Sequence, residues 1–399
     1  MAVCQPLEAA ALDALAAPET VAELERLGVL RVDVRGRRRT ASLAHPLYVQ
    51  AVRHRTPSLR TERILRTHIA RVRGLGARRQ EDALRLAGWE LALGTAGDPE
   101  LLLRAARLAC AVHDYPTTER LAAAALAAPG GADHAAMALF LLGHARSELH
   151  RPEEGCAAHE AAAAAVVLPA QAQLLCRIAV EHALTLGYTV RRPEEALAVI
   201  ERAIAATPGL DHAELTAAAA ALLNDRGRTG RAVALLADVP VALARTSPVA
   251  GTARLDVLGA TGRPVQALTE LAAGGLDGIG RIGAEGTSIL SHRSYLRFSV
   301  ATVMMAAGRL ADAQAEAEGG MADVVLADVP GVHARGALLL GRLHLLGGRD
   351  RTALRHFREL AGVARASARP ELLRDGLAGA SWCRPGWARS PTPAAGSTS

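Results

Sequence analysis

The chain has 399 residues, room for two or three domains of about 150 residues or for one long repeat array, and its 50% hydrophobic content excludes a disordered or collagen-like chain. Only 3% of residues are aromatic, so the core is built from Ala, Leu and Val, a composition that favours closely packed helices over a sandwich or barrel. The formal charge is +6, and all 46 basic residues are arginine, which removes the P-loop lysine, Schiff-base lysines and lysine-dependent phosphoryl transfer.

The first elements expected are two short helices, Leu7 to Ala16 and Pro18 to Leu27, the second closed by Gly28 at a left-handed cap. Residues 29 to 43 read as a hairpin, with Val29 to Val34 alternating, Arg35-Gly36-Arg37 turning and Thr40 to Leu43 returning; it is the only convincing β-structure in the chain. A helix follows from Pro46, which completes the order of a winged helix. From Arg26 to Arg79 there are fifteen arginines against Asp33 and Glu62, a local charge of about +13. Arg35, Arg37, Arg38 and Arg39 could meet phosphates on a nucleic acid. The helix that would enter the major groove, however, carries Glu19, Glu23 and Glu25, so these arginines read as intramolecular or partner-facing, with a plain solvated face as the alternative, and contact with DNA as indirect. His45 sits at a rigid strand-to-helix corner fixed by Pro46, where its imidazole is either presented outward or merely caps that corner.

From Asp98 onward a repeat recurs: an apolar helix, a short turn, then a second helix opening with small residues. The turn positions 114, 151, 192, 228, 263, 309 and 349 are spaced by 37, 41, 36, 35, 46 and 40 residues, which are helix-pair periods. Alanine falls four residues after the turn arginine at Ala196, Ala232, Ala267, Ala313 and Ala353, with Gly155 in an earlier copy, as close approach of two helices requires. Pro152, Pro193 and Pro264 suit the first turn of a helix. The pattern is that of tetratricopeptide-like repeats, so the expected fold is mainly α: an N-terminal winged helix followed by an α-solenoid of helix pairs. The expected divisions are a winged-helix module over 1–60, a helical linker over 61–97, repeats over 98–365, and a short helix with a disordered Pro/Ser/Gly tail over 366–399.

Other motifs carry little. Gly278-Ile-Gly-Arg-Ile-Gly283 matches the dinucleotide fingerprint but lacks a preceding strand. His159-Glu160 and Glu181-His182 lack a third ligand in sequence reach, the five cysteines form no zinc spacing, and no Gly-x-Ser-x-Gly elbow occurs, so no catalytic, metal or cofactor-binding set is expected. Glu153-Glu154 and Glu194-Glu195 lie in first helical turns, where negative charge complements the helix dipole. No secretory signal or membrane span is legible, and a soluble cytoplasmic protein is expected.

Leu24-Glu-Arg-Leu-Gly-Val-Leu-Arg-Val32, Leu43-Ala-His-Pro-Leu-Tyr48 and Asp98-Pro-Glu-Leu-Leu-Leu-Arg-Ala-Ala106 together resemble the middle of the large LuxR-type, MalT-like regulators of actinobacteria. The likeness is closest over residues 7 to 130 and continues as repeat architecture to about 362. Those signal-transduction ATPases combine a P-loop ATPase, a winged helix, tetratricopeptide-like repeats and a LuxR-class helix-turn-helix. The resemblance implies a switch in which bound ADP holds the domains closed and inducer plus ATP opens them, with His45 placed like a winged-helix histidine that contacts the nucleotide. Neither a Walker A nor the terminal helix-turn-helix is legible here, so the chain is expected to be the regulatory middle of such a protein, working with an ATPase domain in trans. The expected function is binding of a protein partner or small inducer on the repeats, without enzymatic activity. A stand-alone repeat scaffold is the alternative, and a DNA-binding repressor using the arginine wing a third reading.

Overall fold

The computed structural model describes residues 2–8, 12, 16–35, 38–76, 80–95, 97–272, 293–327, 330–366 and 370–383. They form two compact units, one of Met1–Leu108 with Arg120–His134 and one of Ala109–Glu119 with Ala135–Ser399.

The first unit holds a three-stranded antiparallel sheet of β1 (Leu7–Glu8), β2 (Leu30–Arg35) and β3 (Arg38–Leu43) in the order β1-β3-β2. The expected hairpin is present, with Val32 opposite Ala41 and Arg35 opposite Arg38. The expected helix does not begin at Leu7: Leu7 and Glu8 are extended and pair with Ala41 and Thr40, Leu12 is helical, and residues 9–11 and 13–15 lie outside the described residues. Two features hold that segment out of a helix. Pro6 biases the residue before it toward extended backbone, and Gln5 accepts a hydrogen bond from the Leu43 amide at 3.0 Å, fixing the strand to the end of β3.

Helix α1 (Pro18–Arg26) forms as expected, and α2 (Pro46–Arg55), α3 (Ser58–Gly74) and α4 (Gln80–Ala92) follow the sheet. Leu65 of α3 is buried with Cys4, Leu7, Leu12 and Ala41, and Trp89 of α4 packs against the same cluster, so α3 and α4 share the core of the sheet.

Among the described residues seven helix pairs follow in chain order: α5 (Pro99–Ala111) with α6 (Tyr115–Ala127), α7 (Ala135–Glu148) with α8 (Pro152–Ala164), α9 (Ala172–Leu184) with α10 (Pro193–Ala206), α11 (Ala213–Asp225) with α12 (Thr229–Ala237), α13 (Pro248–Ala260) with α14 (Pro264–Ala272), α15 (Arg293–Ala306) with α16 (Leu310–Ala327), and α17 (Pro330–Leu346) with α18 (Asp350–Ala366). Helix α19 (Pro370–Trp382) packs on α18. In the second unit the first helix of each pair also packs on the first helix of the next, from α9 through α11, α13 and α15 to α17, forming one layer. This is a tetratricopeptide-like array. The dinucleotide-like 278–283 segment and the tail from 384 lie outside the described residues.

Every turn marker read from the sequence immediately precedes a second helix, and the residue before each marker is left-handed. Gly227, Gly262, Gly308 and Gly348 fill that position in four pairs, while His113, His150 and Arg191 fill it in three, with φ of 61°, 63° and 67°. The marker's amide then reaches back to a carbonyl five residues earlier, as in Arg228 to Leu223 and Arg349 to His344, both in the 2.8–2.9 Å range. These are Schellman closures, which satisfy carbonyls the helix end would otherwise leave open. Arg192 instead bonds Leu186, six residues back, because α9 continues into a π turn over Thr185–Val190.

The recurring alanines sit at the helix crossings. Ala196, Ala232, Ala313 and Ala353 are 0% exposed and Ala267 is 2% exposed. The degenerate first copy places buried Thr118 at the same offset, its hydroxyl turned onto the Asp114 carbonyl at 2.9 Å. At Gly155 a side-chain carbon would collide with Ser147 and would lie 2.8 Å from the Gly143 carbonyl of the facing helix.

Candidate functional site

The layer of first helices gathers polar and aromatic side chains from successive pairs. Arg335 of α17 donates through Nη2 to both oxygens of Asp256 on α13, at 3.2 and 3.1 Å, and to the Ser299 hydroxyl of α15 at 2.9 Å. Its guanidinium lies over the Tyr295 ring, 4.0 Å from the centroid. Tyr188, delivered by the π turn after α9, lies in the same electrostatic neighbourhood as Tyr295, Asp225, Asp256 and Arg335. Burial pushes both phenols above their ordinary range, Tyr188 well above it, and the nearby aspartates push the same way. Arg335 and Asp256 nevertheless keep 26% and 23% of their side-chain surface, so the cluster is half-buried and reachable from solvent. Chemically it offers two phenols, carboxylates and a guanidinium held rigid by ring and carboxylate, which is a set for recognition.

The second helices carry a different pattern. Arg151 pairs with Glu119, Arg192 with Glu153 at 3.2 Å and Arg228 with Glu194 at 3.4 Å. Each of these three turn arginines thus holds a carboxylate near the start of the preceding pair's second helix. Arg349 repeats the contact on Gln314 of the preceding pair. The carboxylate pairs expected to complement helix dipoles therefore also link neighbouring repeats. The sequence signal for these links was an acid lying 32, 39 or 34 residues before the turn arginine, about one repeat.

The wing residues are placed as follows. Arg35 and Arg38 face each other in the hairpin register, Arg39 is exposed opposite Val34, and Arg37 lies outside the described residues. His45 is exposed and caps α2, its Nδ1 accepting from the Leu47 amide at 3.2 Å. Its ring meets Tyr48 edge-on with centroids 5.9 Å apart.

A buried cluster escaped the sequence reading. His144 of α7 lies 3.8 Å from Glu181 of α9, hydrogen-bonds the Cys110 thiol, and packs edge-on against Tyr115. The legible trace was His144, at the end of the apolar run from Ala135 to Gly143. Although burial opposes it, the Cys110 and Glu181 partners hold the His144 imidazole well above its ordinary range. Cys110, His144 and Glu181 are 5%, 4% and 6% exposed, so this thiol–imidazole–carboxylate sequence is sealed from substrate. Next to it, His159 is buried with neither ring nitrogen in a hydrogen bond, and burial first, then the charges of His182 and His144, push it down to about 3. Among the described residues no group of three or more His, Cys, Asp or Glu is placed to hold a metal, and no helix is long and apolar enough to cross a membrane.

No family model and no curated protein matches the chain. Among solved structures it is similar to a tetratricopeptide repeat protein from Parabacteroides merdae ATCC 43184, at 16% identity over 70% of this chain and 98% of that one, with a TM-score of 0.42. It is similar to a Signal Transduction ATPase with Numerous Domains from Pyrococcus horikoshii that carries a tetratricopeptide repeat sensor, at 13% identity over 94% of this chain and 61% of that one, with a TM-score of 0.42. A third is the tetratricopeptide domain of P58(IPK), at 12% identity over 82% and 93% of the two chains, with a TM-score of 0.23.

Proposed function

We propose that the chain is a non-catalytic sensor region of a LuxR-type regulator, binding a protein partner or small inducer on the first-helix layer of its repeats. One observation carries the reading: Tyr188, Asp256, Tyr295 and Arg335, drawn from four different pairs, converge half-buried on one layer. Most buried positions in this array are apolar, so a rigid aromatic and ionic cluster that keeps part of its surface in solvent is suited to recognition. The regulator assignment is supported by the residues that resemble that family and by the order helix, hairpin, helix in front of the repeats. In that switch the first unit acts as a winged helix, the wing arginines Arg35, Arg37, Arg38 and Arg39 face a partner, and His45 senses the nucleotide of an ATPase domain in trans; the chain works in the cytoplasm and meets DNA only through its partners.

The test is a photo-crosslinking amino acid at exposed Asp225, beside the cluster, compared with one at exposed Val265 on α14, in the full-length protein inside its own cells. Capture of a P-loop ATPase at 225 and not at 265 supports the regulator. Capture of a different protein at 225 favours the stand-alone scaffold. Equal labelling at both positions, or none, removes the first-helix layer as the binding face.

A further inference from the structure

Helix α2 is inside out. Its Pro46, Val49, Gln50 and Arg53 line a cleft over the sheet, and Arg53 is anchored on that side, its Nε donating to the Ala2 carbonyl at 2.8 Å. At about 100° per residue the opposite side then carries Leu47, Tyr48, Ala51, Val52 and Arg55. All five are exposed, and α2 buries no residue along its whole length. Polar side chains thus face the protein and apolar ones face water.

A helix of 10 residues is too short to be stable alone and ordinarily gains its stability by packing an apolar stripe against a neighbour. On α2 that stripe is left to solvent, with Leu47 62% exposed, and Leu59 at the start of α3 extends the apolar surface at 78%. Single exposed apolar side chains are ordinary, but several gathered on one helix face mark a surface that another molecule covers.

The charge beside the stripe has one sign. Glu62 is the only acid between Asp33 and Glu81, and Arg66 engages it at 2.9 Å. Arg55, Arg60 and Arg63 are exposed, and among the described residues no carboxylate pairs with them. A second copy of this face would set guanidinium against guanidinium, a costly arrangement. A nucleic-acid backbone would meet the arginines but leave Leu47, Val52 and Leu59 against phosphate and water, with no apolar area buried. Both the stripe and the arginines are matched by a helix that carries leucine-like residues on one face and carboxylates along its flanks.

We propose that α2 and the start of α3 form a docking surface for an acidic amphipathic helix of a partner protein. Its apolar stripe covers Leu47, Tyr48 and Val52, and its flanking carboxylates reach Arg55, Arg60 and Arg63. The inference concerns only the first unit, so it stands or falls apart from the reading of the repeats.

The experiment is fluorescence anisotropy of two synthetic helical peptides titrated with the full chain. Both carry leucine at i, i+3, i+4 and i+7, one flanked by glutamates and the other by lysines. The glutamate peptide is expected to bind saturably and the lysine peptide not to bind. Leu47→Gln combined with Val52→Gln, both at exposed positions, is expected to weaken the glutamate peptide at least tenfold. Arg55→Glu is expected to weaken it a few-fold, while Gln50→Ala, on the cleft side of α2, binds like the parent. Circular dichroism confirms that each variant is folded. Binding of phosphatidylglycerol vesicles or of a DNA duplex, with none of the glutamate peptide, assigns the face to lipid or nucleic acid and overturns the proposal. Equal affinity for both peptides, an unaffected double variant, or no binding at all overturns it equally.

Discussion

Arg335 reaches Asp256 across 79 residues of sequence, passing over the whole of the α15–α16 pair and touching Ser299 of α15 on the way. Helix-pair arrays are held by contacts between neighbours, and this ion pair ties a repeat to the next but one. Asp256→Leu and Arg335→Met are each expected to destabilise the second unit by about 1–3 kcal/mol, because each leaves a half-buried charge without its partner. The double variant is expected to cost less than the sum. Chemical denaturation midpoints of the four proteins of the cycle measure it, and simple additivity would deny the coupling.

The left-handed cap residues give a prediction of both signs. A side-chain carbon at Gly262 would meet nothing within 4 Å, so Gly262→Ala bears only the cost of the backbone conformation, expected at about 1 kcal/mol of destabilisation. His150 holds the same conformation with a side chain, and His150→Gly is expected to stabilise by about 0.5–1 kcal/mol. Thermal melts of the two variants should move in opposite directions.

At the crossings, size is the limit. Ala232 and Ala353 are fully enclosed between helices. Ala232→Leu is expected to cost about 3 kcal/mol, since three added heavy atoms must displace a neighbouring helix. Ala232→Gly is expected to cost about 1 kcal/mol through helix propensity alone. Denaturant titration that ranked the glycine variant below the leucine variant would contradict close approach at this position.

The acid limb of stability follows from His159. Its folded value of about 3 lies below the ordinary 6.5, so the neutral imidazole is favoured by folding. The contribution is whole above pH 6.5 and is lost as pH falls toward 3, by up to about 1.4 kcal/mol per pH unit. His159→Met removes the group and keeps the volume. The variant is expected to match or exceed the parent at pH 8 and to outlast it clearly at pH 4.5, as read from urea midpoints at both values.

The repeat grammar was legible because it depends on local rules. A left-handed residue, a proline or small residue at the helix start and an alanine at the crossing are each dictated within a few positions, and all seven turns fell where the spacing placed them. The pairs closed by His113, His150 and Arg191 show the same geometry without the glycine signal. Leu7–Glu8 misled because a two-residue strand has no periodicity of its own; its conformation is set by Pro6 and by pairing with β3, more than thirty positions away. The Arg335–Asp256–Tyr295 cluster was illegible for a related reason. Its members lie on separate repeats, and nothing in the spacing of Asp256 and Arg335 marks them as neighbours until the first helices are layered.

The π turn over Thr185–Val190 makes this arrangement sensitive to chain length. A π turn accommodates one more residue than the α-helical turn it replaces, so excision of a single residue there would let α9 close like its siblings and swing the Tyr188 phenol by roughly the 100° that one helical step represents. A single-codon deletion would therefore take Tyr188 out of its cluster with Tyr295 and Arg335 while the array itself stayed intact.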